Sequence, residues 1–283
     1  MLRWSVMLIF LLSCPQVLFA QPAGDTARVR LVLWPQVTVQ NRTYRQLYEV
    51  QMNVAPELQL EIAKGLRFSG QVIIPVVNQI SEEGNHVRPG ILTLNQRFNI
   101  GNTFYGILSA GKFTNNRYGL DLRILNFFFD GRLTLVANVG LTGSNQYISK
   151  LVYSAINTLT WKLHGGFYMK HFNALVNVNY GRYLMGDHGV RLDAVRFFGR
   201  TAVGFWAMHS GGEFNGGFNF AIPLAPERYK RERRVRVGLP DHFFWEYRGR
   251  VWPKAGQSYE IQNEYLYFNN TEPLRQFNLV SFN

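Results

Sequence analysis

The stretch RLTLVANVGLT, residues 132–142, alternates apolar and hydrophilic side chains along its length. Every second residue from Leu133 to Leu141 is apolar, and the positions between them include Thr134 and Asn138. Successive side chains of a β-strand point to opposite faces, so a period of two predicts a strand with one apolar face and one hydrophilic face.

The same alternation recurs at intervals along the chain, in residues 48–54, 58–62, 120–124, 173–180 and 259–267. In the last of these, Tyr259 and Ile261 fall on the apolar face, and Glu260 and Gln262 fall on the other. Turn-forming residues such as Ala55-Pro56 and Gly84-Asn85 separate many of the segments, and residues 77–90 are typical of a longer loop. The sequence therefore predicts an all-β protein.

Alternation alone does not say which face lies inside. A soluble sandwich or barrel buries its apolar face, whereas a membrane barrel turns that face to lipid and keeps the hydrophilic face around an aqueous lumen. Charged residues make up 17% of the chain, below the roughly 25% of soluble domains. Aromatic clusters at 127–129, 197–198 and 243–245 resemble interfacial girdles, and the alternating stretch 274–282 ends in Phe282. These features favour an antiparallel transmembrane β-barrel of roughly 12–14 strands.

The N-terminus has the pattern of a secretory signal. A positive charge at Arg3 precedes an apolar stretch from Trp4 to Leu12, which is too short for a membrane helix of about 20 residues. We predict a signal peptide over 1–20, cleaved after Ala20, and a single barrel domain over 21–283 in the cell outer membrane. The only cysteine, Cys14, is either removed with this signal or serves as a lipidated N-terminus.

The charge balance predicts anionic partners. A formal net charge of +12 attracts lipopolysaccharide and other lipid head groups, or an acidic polysaccharide. Nucleic acid is not predicted, because no nucleic-acid-binding motif accompanies the charge. The basic run 228–236 contributes Arg231, Arg233, Arg234 and Arg236. It either contacts a glycan or lipid phosphate through its guanidinium groups or forms a solvated edge.

Signs of catalysis are weak in this sequence. The histidines are scattered without metal-ligand spacing, and no motif indicates a cofactor. His209-Ser210, with Asp187 and His188 upstream, leaves an outer-membrane hydrolase as a remote alternative. However, neighbours on a strand point to opposite faces, and Ser210 is not in a nucleophile elbow. We therefore expect a protein that is not an enzyme.

Residues 180–224, YGRYLMGDHGVRLDAVRFFGRTAVGFWAMHSGGEFNGGFNFAIPL, carry the most specific pattern. A Gly-Arg-Tyr-Leu run is followed by Asp-x-Gly, an Arg-x-Phe strand end and a closing Ile-Pro-Leu. A Gly256-Gln257 pair follows later. This pattern resembles the YjbH/GfcD-like family of outer-membrane proteins encoded with exopolysaccharide and capsule genes. The positions that carry it are Gly181, Arg182, Tyr183, Leu184, Asp187, Gly189, Arg196, Phe198, Gly217, Phe218, Ile222, Pro223 and Leu224.

The resemblance implies a role in exopolysaccharide or capsule export or assembly, as a passive glycan conduit or as one component beside other secretion proteins. Alternation places Arg191 and Asp193 in the interior, where they either line a substrate path or only brace the barrel. The candidate glycan or anion contacts are Arg182, Asp187, Arg191, Asp193, Arg231, Arg233, Arg234 and Arg236. A structural or adhesive surface barrel with a plugged lumen is the alternative.

Overall fold

The computed structural model describes residues 17–18, 28–43, 46–101, 104–147, 151–224, 235–249 and 255–262. These residues form β-strands joined by turns, with short 3₁₀ turns at Glu83–Asn85 and Lys170–Phe172. Nowhere in the described segments does a helix have the length and apolarity to cross a bilayer. The strands are β1 (Val17–Leu18), β2 (Val29–Thr43), β3 (Gln46–Ala63), β4 (Leu66–Asn78), β5 (Arg88–Ile100), β6 (Phe104–Phe113), β7 (Arg117–Phe128), β8 (Leu133–Tyr147), β9 (Leu151–Tyr153), β10 (Thr158–Met169), β11 (Ala174–Arg182), β12 (His188–Phe198), β13 (Thr201–Ser210), β14 (Glu213–Pro223), β15 (Val235–Gly238) and β16 (His242–Arg248).

The strands form one sheet that returns on itself. Within the described residues its order is β15-β2-β3-β4-β5-β6-β7-β8-β10-β11-β12-β13-β14-β16, with β1 beside β5 and β9 beside β8. Neighbours along this path are antiparallel except β15 and β2, which pair in parallel. Because β16 also contacts β2, the two sides of the sheet meet and enclose a lumen. The path holds 14 strands in the described part of the chain, within the predicted 12–14.

The faces of the sheet are arranged as lipid requires. In β5, Thr93, Asn95 and Arg97 are buried, whereas Leu92 and Leu94 are 48% and 41% exposed. In β11, Asn177 and Asn179 are buried while Val176 and Val178 are exposed. A soluble protein shows the reverse distribution, and there is no second sheet in the described residues to cover these valines and leucines. The prediction that the apolar face is the outer one is confirmed.

Aromatic side chains mark both ends of the barrel. The clusters 127–129, 197–198 and 243–245 all lie at one end, which we call the turn end because the tight connections 64–65, 129–132 and 199–200 are there. At the opposite end, which carries the longer connections 79–87 and 183–187 and is called the loop end, Trp161 packs edge-on against Tyr180 at 5.4 Å. Two aromatic belts flanking an apolar band are typical of membrane barrels.

The turn predicted at Ala55-Pro56 is wrong. Ala55-Pro56 does not separate two strands but lies inside β3, where Pro56 pairs with Leu33 of β2. The outward-facing apolar positions keep the same parity from Tyr48 to Ile62, so the chain passes through Pro56 as one strand. A proline in a strand removes one hydrogen-bond donor, and here the continuous apolar face outweighs that loss. The predicted loop over 77–90 is confirmed in its central part, between β4 and β5.

Candidate functional site: the lumen and the segment within it

Residues 255–262, here called the lumen segment, follow β16 and lie against the inward-facing side of the barrel near its loop end. The Leu184 N–H donates to the Gln257 carbonyl at 2.9 Å, and the Thr114 N–H donates to the Glu260 carbonyl at 3.0 Å. These backbone bonds join the segment to the β11–β12 and β6–β7 connections. The segment therefore occupies part of the lumen.

The strand predicted over residues 259–267 is wrong for its described part, residues 259–262. Tyr259 and Ile261 are 6% and 2% exposed and form a small apolar cluster with Phe113 inside the barrel, rather than facing lipid. Alternation over so few residues fits a strand and an inserted segment equally well. The remainder of the prediction, including Tyr265, lies outside the described residues, as does the alternating stretch 274–282.

Tyr259 fits into a pocket in the lumen wall. Its ring stacks on Phe113 with centroids 5.2 Å apart and planes 12° from parallel. Its hydroxyl donates to Asp121 Oδ2 at 2.8 Å, and a Cβ added to Gly140 would lie 1.6 Å from the hydroxyl oxygen. Burial, reinforced by the negative charge of Asp121, raises the pKa of Tyr259 well above its usual range. The phenol is therefore held as a neutral hydrogen-bond donor.

Glu260 lies between two cations of the wall. Its carboxylate is 3.1 Å from Arg123 Nη2 and 3.8 Å from Lys162 Nζ, and its N–H donates to Thr114 Oγ1 at 2.7 Å. Burial by itself would raise the pKa of Glu260, but Lys162 and Arg123 attract the charged form and the pKa is lowered overall. Glu260 therefore stays ionised, and its charge helps to hold the segment in place.

A second charged cluster lies among β12, β13 and β16. Arg191 Nη2 is 2.7 Å from both Asp193 Oδ1 and Glu246 Oε2, and its guanidinium carbon is 4.3 Å above the Trp206 ring. The Asp193 side chain is fully buried. A buried carboxylate is tolerated only when it is paired, so this arginine is required by its two acidic neighbours.

A third cluster lies towards the turn end, where Glu61 Oε1 is 2.5 Å from Arg67 Nε and 2.7 Å from Arg97 Nη2. The three clusters place charges of both signs along the lumen. No group of His, Cys, Asp and Glu in the described residues could hold a metal ion.

The predicted contact residues separate into distinct places. Arg191 and Asp193 line the lumen and pair with each other, as the alternation of β12 requires. Arg182, at the end of β11, lines a small cleft beside the lumen segment, together with Asn138, Thr160, Lys162 and Tyr183. Burial raises the pKa of Tyr183 to about 12, so this phenol is also neutral.

Asp187 connects the β11–β12 loop to the lumen segment. Its Oδ2 accepts from the Gly256 N–H at 2.7 Å and from the Ser210 hydroxyl. Arg236 lies in β15 at the turn end of the barrel, where it is opposite Arg30 of β2 in the backbone register. The β11–β12 loop that holds Asp187 is at the other end. Arg231, Arg233 and Arg234 lie outside the described residues, as does Cys14.

The serine and histidine considered for hydrolysis do not meet. Ser210 is buried and donates to Asp187, whereas His209 is exposed and packs against Phe214, with centroids 4.3 Å apart. His188 is exposed and lies against Trp161. Within the described residues, Ser210 therefore has no histidine partner able to take its proton.

Sequence reasoning did not find several residues of this site. Asp121 and Arg123 fall on the hydrophilic face of an alternating stretch, but no sequence signal indicates that they contact Tyr259 and Glu260, 138 and 137 positions later in the chain. Phe113, Lys162 and Glu246 carry no motif or spacing that indicates a site. The alternation around Glu260 is the one usable signal, and it predicts a membrane strand instead.

Comparison with known proteins finds no matching family model and no matching curated protein. Among solved structures, two mutants of the Rh. blastica porin are similar at 9% and 8% identity, with TM-scores of 0.38 and 0.39. Each comparison covers 70% of this chain and 90% of the porin. OmpT, an outer membrane protein of Vibrio cholerae, is similar at 8% identity with a TM-score of 0.32, over 68% of this chain and 79% of that protein.

The class of protein follows from the geometry of this chain itself. The sheet is antiparallel except where β15 meets β2, and it turns apolar side chains outward and charged and amide side chains inward, with aromatic side chains at each end. An outer face of leucine, valine and phenylalanine is typical of a barrel surrounded by hydrocarbon, whereas a soluble protein buries such residues. The chain is a transmembrane β-barrel, with a charged lumen that one of its own segments partly fills.

Proposed function

We propose that this barrel resides in the bacterial outer membrane and takes part in exopolysaccharide or capsule export, with the glycan passing through its lumen. The resemblance of residues 180–224 to the YjbH/GfcD-like family supports a glycan as the substrate.

The observation that carries the proposal is the chemistry of the lumen wall. Its inward side chains include Asn177, Asn179 and Asn219, together with the charged clusters centred on Arg123 and Arg191. Amide and guanidinium groups form hydrogen bonds with sugar hydroxyls and acidic substituents without any chemical step. The mechanism is therefore passive, and lipopolysaccharide outside and other secretion proteins inside are the expected partners.

The lumen segment gives this passage a means of closing. It is held by a few hydrogen bonds, one stacked ring and one ion-paired carboxylate, rather than by a strand ladder along its length. Contacts of this kind form and break in an aqueous lumen at moderate cost. We assign the segment the role of a gate that must move before a glycan chain can pass.

A structural or surface barrel with a permanently plugged lumen is the second candidate. The observation that favours it is burial: Asn177 and Asn219, on the lumen side of β11 and β14, are 0% exposed. Side chains lining an open aqueous channel would be wet. Under this candidate, the charged clusters only brace the barrel.

Conductance across planar bilayers separates the two candidates. The variant carries Leu184→Cys and Gln257→Cys in a Cys14→Ser background, because the backbone bond between these residues brings them close enough for a disulfide. We expect the reduced form to conduct, acidic polysaccharide to lower that current, and oxidation to close the pore reversibly. The Gln257→Cys single variant is the control, and oxidation should leave its current unchanged.

Two results would count against export. An absence of current in both the reduced and the oxidised forms would favour the plugged barrel. If acidic polysaccharide leaves the current unchanged, the barrel is a pore but the glycan is not its substrate. Heat-modifiable gel mobility first confirms that each variant has folded into a closed barrel.

A further inference from the structure

The lumen segment presents two chemical groups to the barrel wall in a fixed order. Tyr259 offers a flat ring with a hydroxyl at its edge, and Glu260 offers a carboxylate. The wall contacts these groups with the ring face of Phe113, the acceptor oxygens of Asp121, and the cations of Arg123 and Lys162. A hydroxylated ring that carries a carboxylate has this same set of groups. In a glycan, that unit is a hexuronic acid.

We infer that the wall pocket around Phe113, Asp121, Arg123 and Lys162 is a binding site for a carboxylate-bearing sugar, which Tyr259 and Glu260 occupy as an internal substitute. The inference rests on the proposed function and adds to it the substrate class and the position of one subsite. The sugar ring would lie on Phe113 with a hydroxyl donating to Asp121. Its carboxylate would replace that of Glu260 between Arg123 and Lys162.

The charges of the pocket favour this class over neutral sugars. Arg123 is already paired with Asp121 at 3.3 Å, so Asp121 offsets one of the two cations. Lys162 has Glu260 as its ion-pair partner at 3.8 Å, and removal of Glu260 would leave one positive charge to be matched. A single carboxylate restores neutrality, whereas a neutral sugar leaves a half-buried ammonium without a counter-charge. One acidic group per bound sugar unit is therefore the expected stoichiometry.

A small cleft adjoins the pocket, bordered by Lys162 and Arg182 of the wall and by residues 257–259 of the segment. Displacement of the segment would join the cleft and the pocket into one continuous path.

The pocket can be emptied without altering its wall by Tyr259→Ala with Glu260→Ala, which removes both substituting groups. The emptied pocket can then be blocked by Gly140→Ala, because the added Cβ would be 1.6 Å from the position of the Tyr259 hydroxyl oxygen, which the sugar hydroxyl would take. Gly165→Ala is the matched control, because its Cβ would meet only a Leu135 methyl at 3.6 Å. Both changes add one methyl group to a strand of the same sheet, and neither touches Arg123 or Lys162.

The test is calorimetric titration of the full chain in detergent micelles with trigalacturonate, and with maltotriose as the neutral trisaccharide. We expect Tyr259→Ala with Glu260→Ala to bind trigalacturonate at least tenfold more tightly than the wild type, a difference of about 1.4 kcal/mol. Adding Gly165→Ala to this variant should leave the gain unchanged. Adding Gly140→Ala or Lys162→Met should remove the gain, and maltotriose should show none.

Heat-modifiable gel mobility confirms that each variant has folded before the titration. The inference fails if Tyr259→Ala with Glu260→Ala binds trigalacturonate no more tightly than the wild type, if Gly140→Ala leaves the gain intact, or if maltotriose gains equally. Binding and conductance are measured separately, so loss of the proposed export role with retained uronate binding is distinguishable from the reverse.

Discussion

Leucines along the outer face of β10 test whether that face meets lipid. Leu159 and Leu163 lie on the same strand and the same face, near the strand's beginning and near its middle. With a rise of about 3.4 Å per residue and a tilt of about 40°, Leu163 is roughly 10 Å deeper in the bilayer. The pair therefore samples two depths with one side-chain type.

Arginine at each position should have very different effects. At the bilayer midplane, an arginine on the lipid face of a barrel destabilises by about 2–4 kcal/mol, falling to about 0–1 kcal/mol near the interface. We expect Leu163→Arg to lower the free energy of unfolding by an amount in the first range and Leu159→Arg by an amount in the second. Guanidinium titration of protein folded into phosphatidylcholine vesicles, followed by tryptophan fluorescence, measures both.

Exposure alone would predict the opposite order. Leu163 is 54% exposed and Leu159 is 44% exposed, so in water the deeper position would be the more tolerant one. Surface substitutions in soluble proteins usually change stability by less than about 0.5 kcal/mol. If the two arginine variants were equally stable, or Leu163→Arg the more stable, the assignment of this face to lipid would be refuted.

Two further outcomes follow from the lumen charges. Arg191→Met should destabilise the barrel by about 3–5 kcal/mol, because the fully buried Asp193 and its neighbour Glu246 would lose the guanidinium that lies between them. Arg248→Met is the control for Arg191→Met in the same denaturant titration. The Arg248 side chain is 59% exposed, so its pair with Glu246 should contribute at most about 1 kcal/mol. The pKa of Glu260 is lowered, so its contribution to holding the segment is complete above the ordinary glutamate pKa and is lost as the pH falls through the lowered value. Conductance should therefore rise on acidification below about pH 4. Glu260→Gln should conduct at neutral pH and lose most of that pH dependence, and an unchanged pH profile in this variant would contradict the role given to Glu260.

Local sequence determined the strands and their two faces. The period of two in residues 132–142 and 173–180 depends only on backbone geometry, which sends neighbouring side chains to opposite sides whatever the rest of the chain does. The interior position of Arg191 and Asp193 followed from the same rule. Ala55-Pro56 was misassigned because turn residues report local preference, whereas the continuous outer face of β3 is a property of the whole sheet.

Tertiary structure alone decided what fills the lumen. Arg123 pairs with Glu260, which is 137 positions later in the chain, and Arg191 pairs with Glu246, which is 55 positions later. No spacing in the sequence predicts either ion pair. Tyr259 and Ile261 carry the alternation of a lipid-facing strand, yet they pack inside on Phe113. Alternation shows only that the two faces of a segment differ in polarity. Which side meets water, and which segment turns inward, depends on how the sheet closes and on which charges closure brings together.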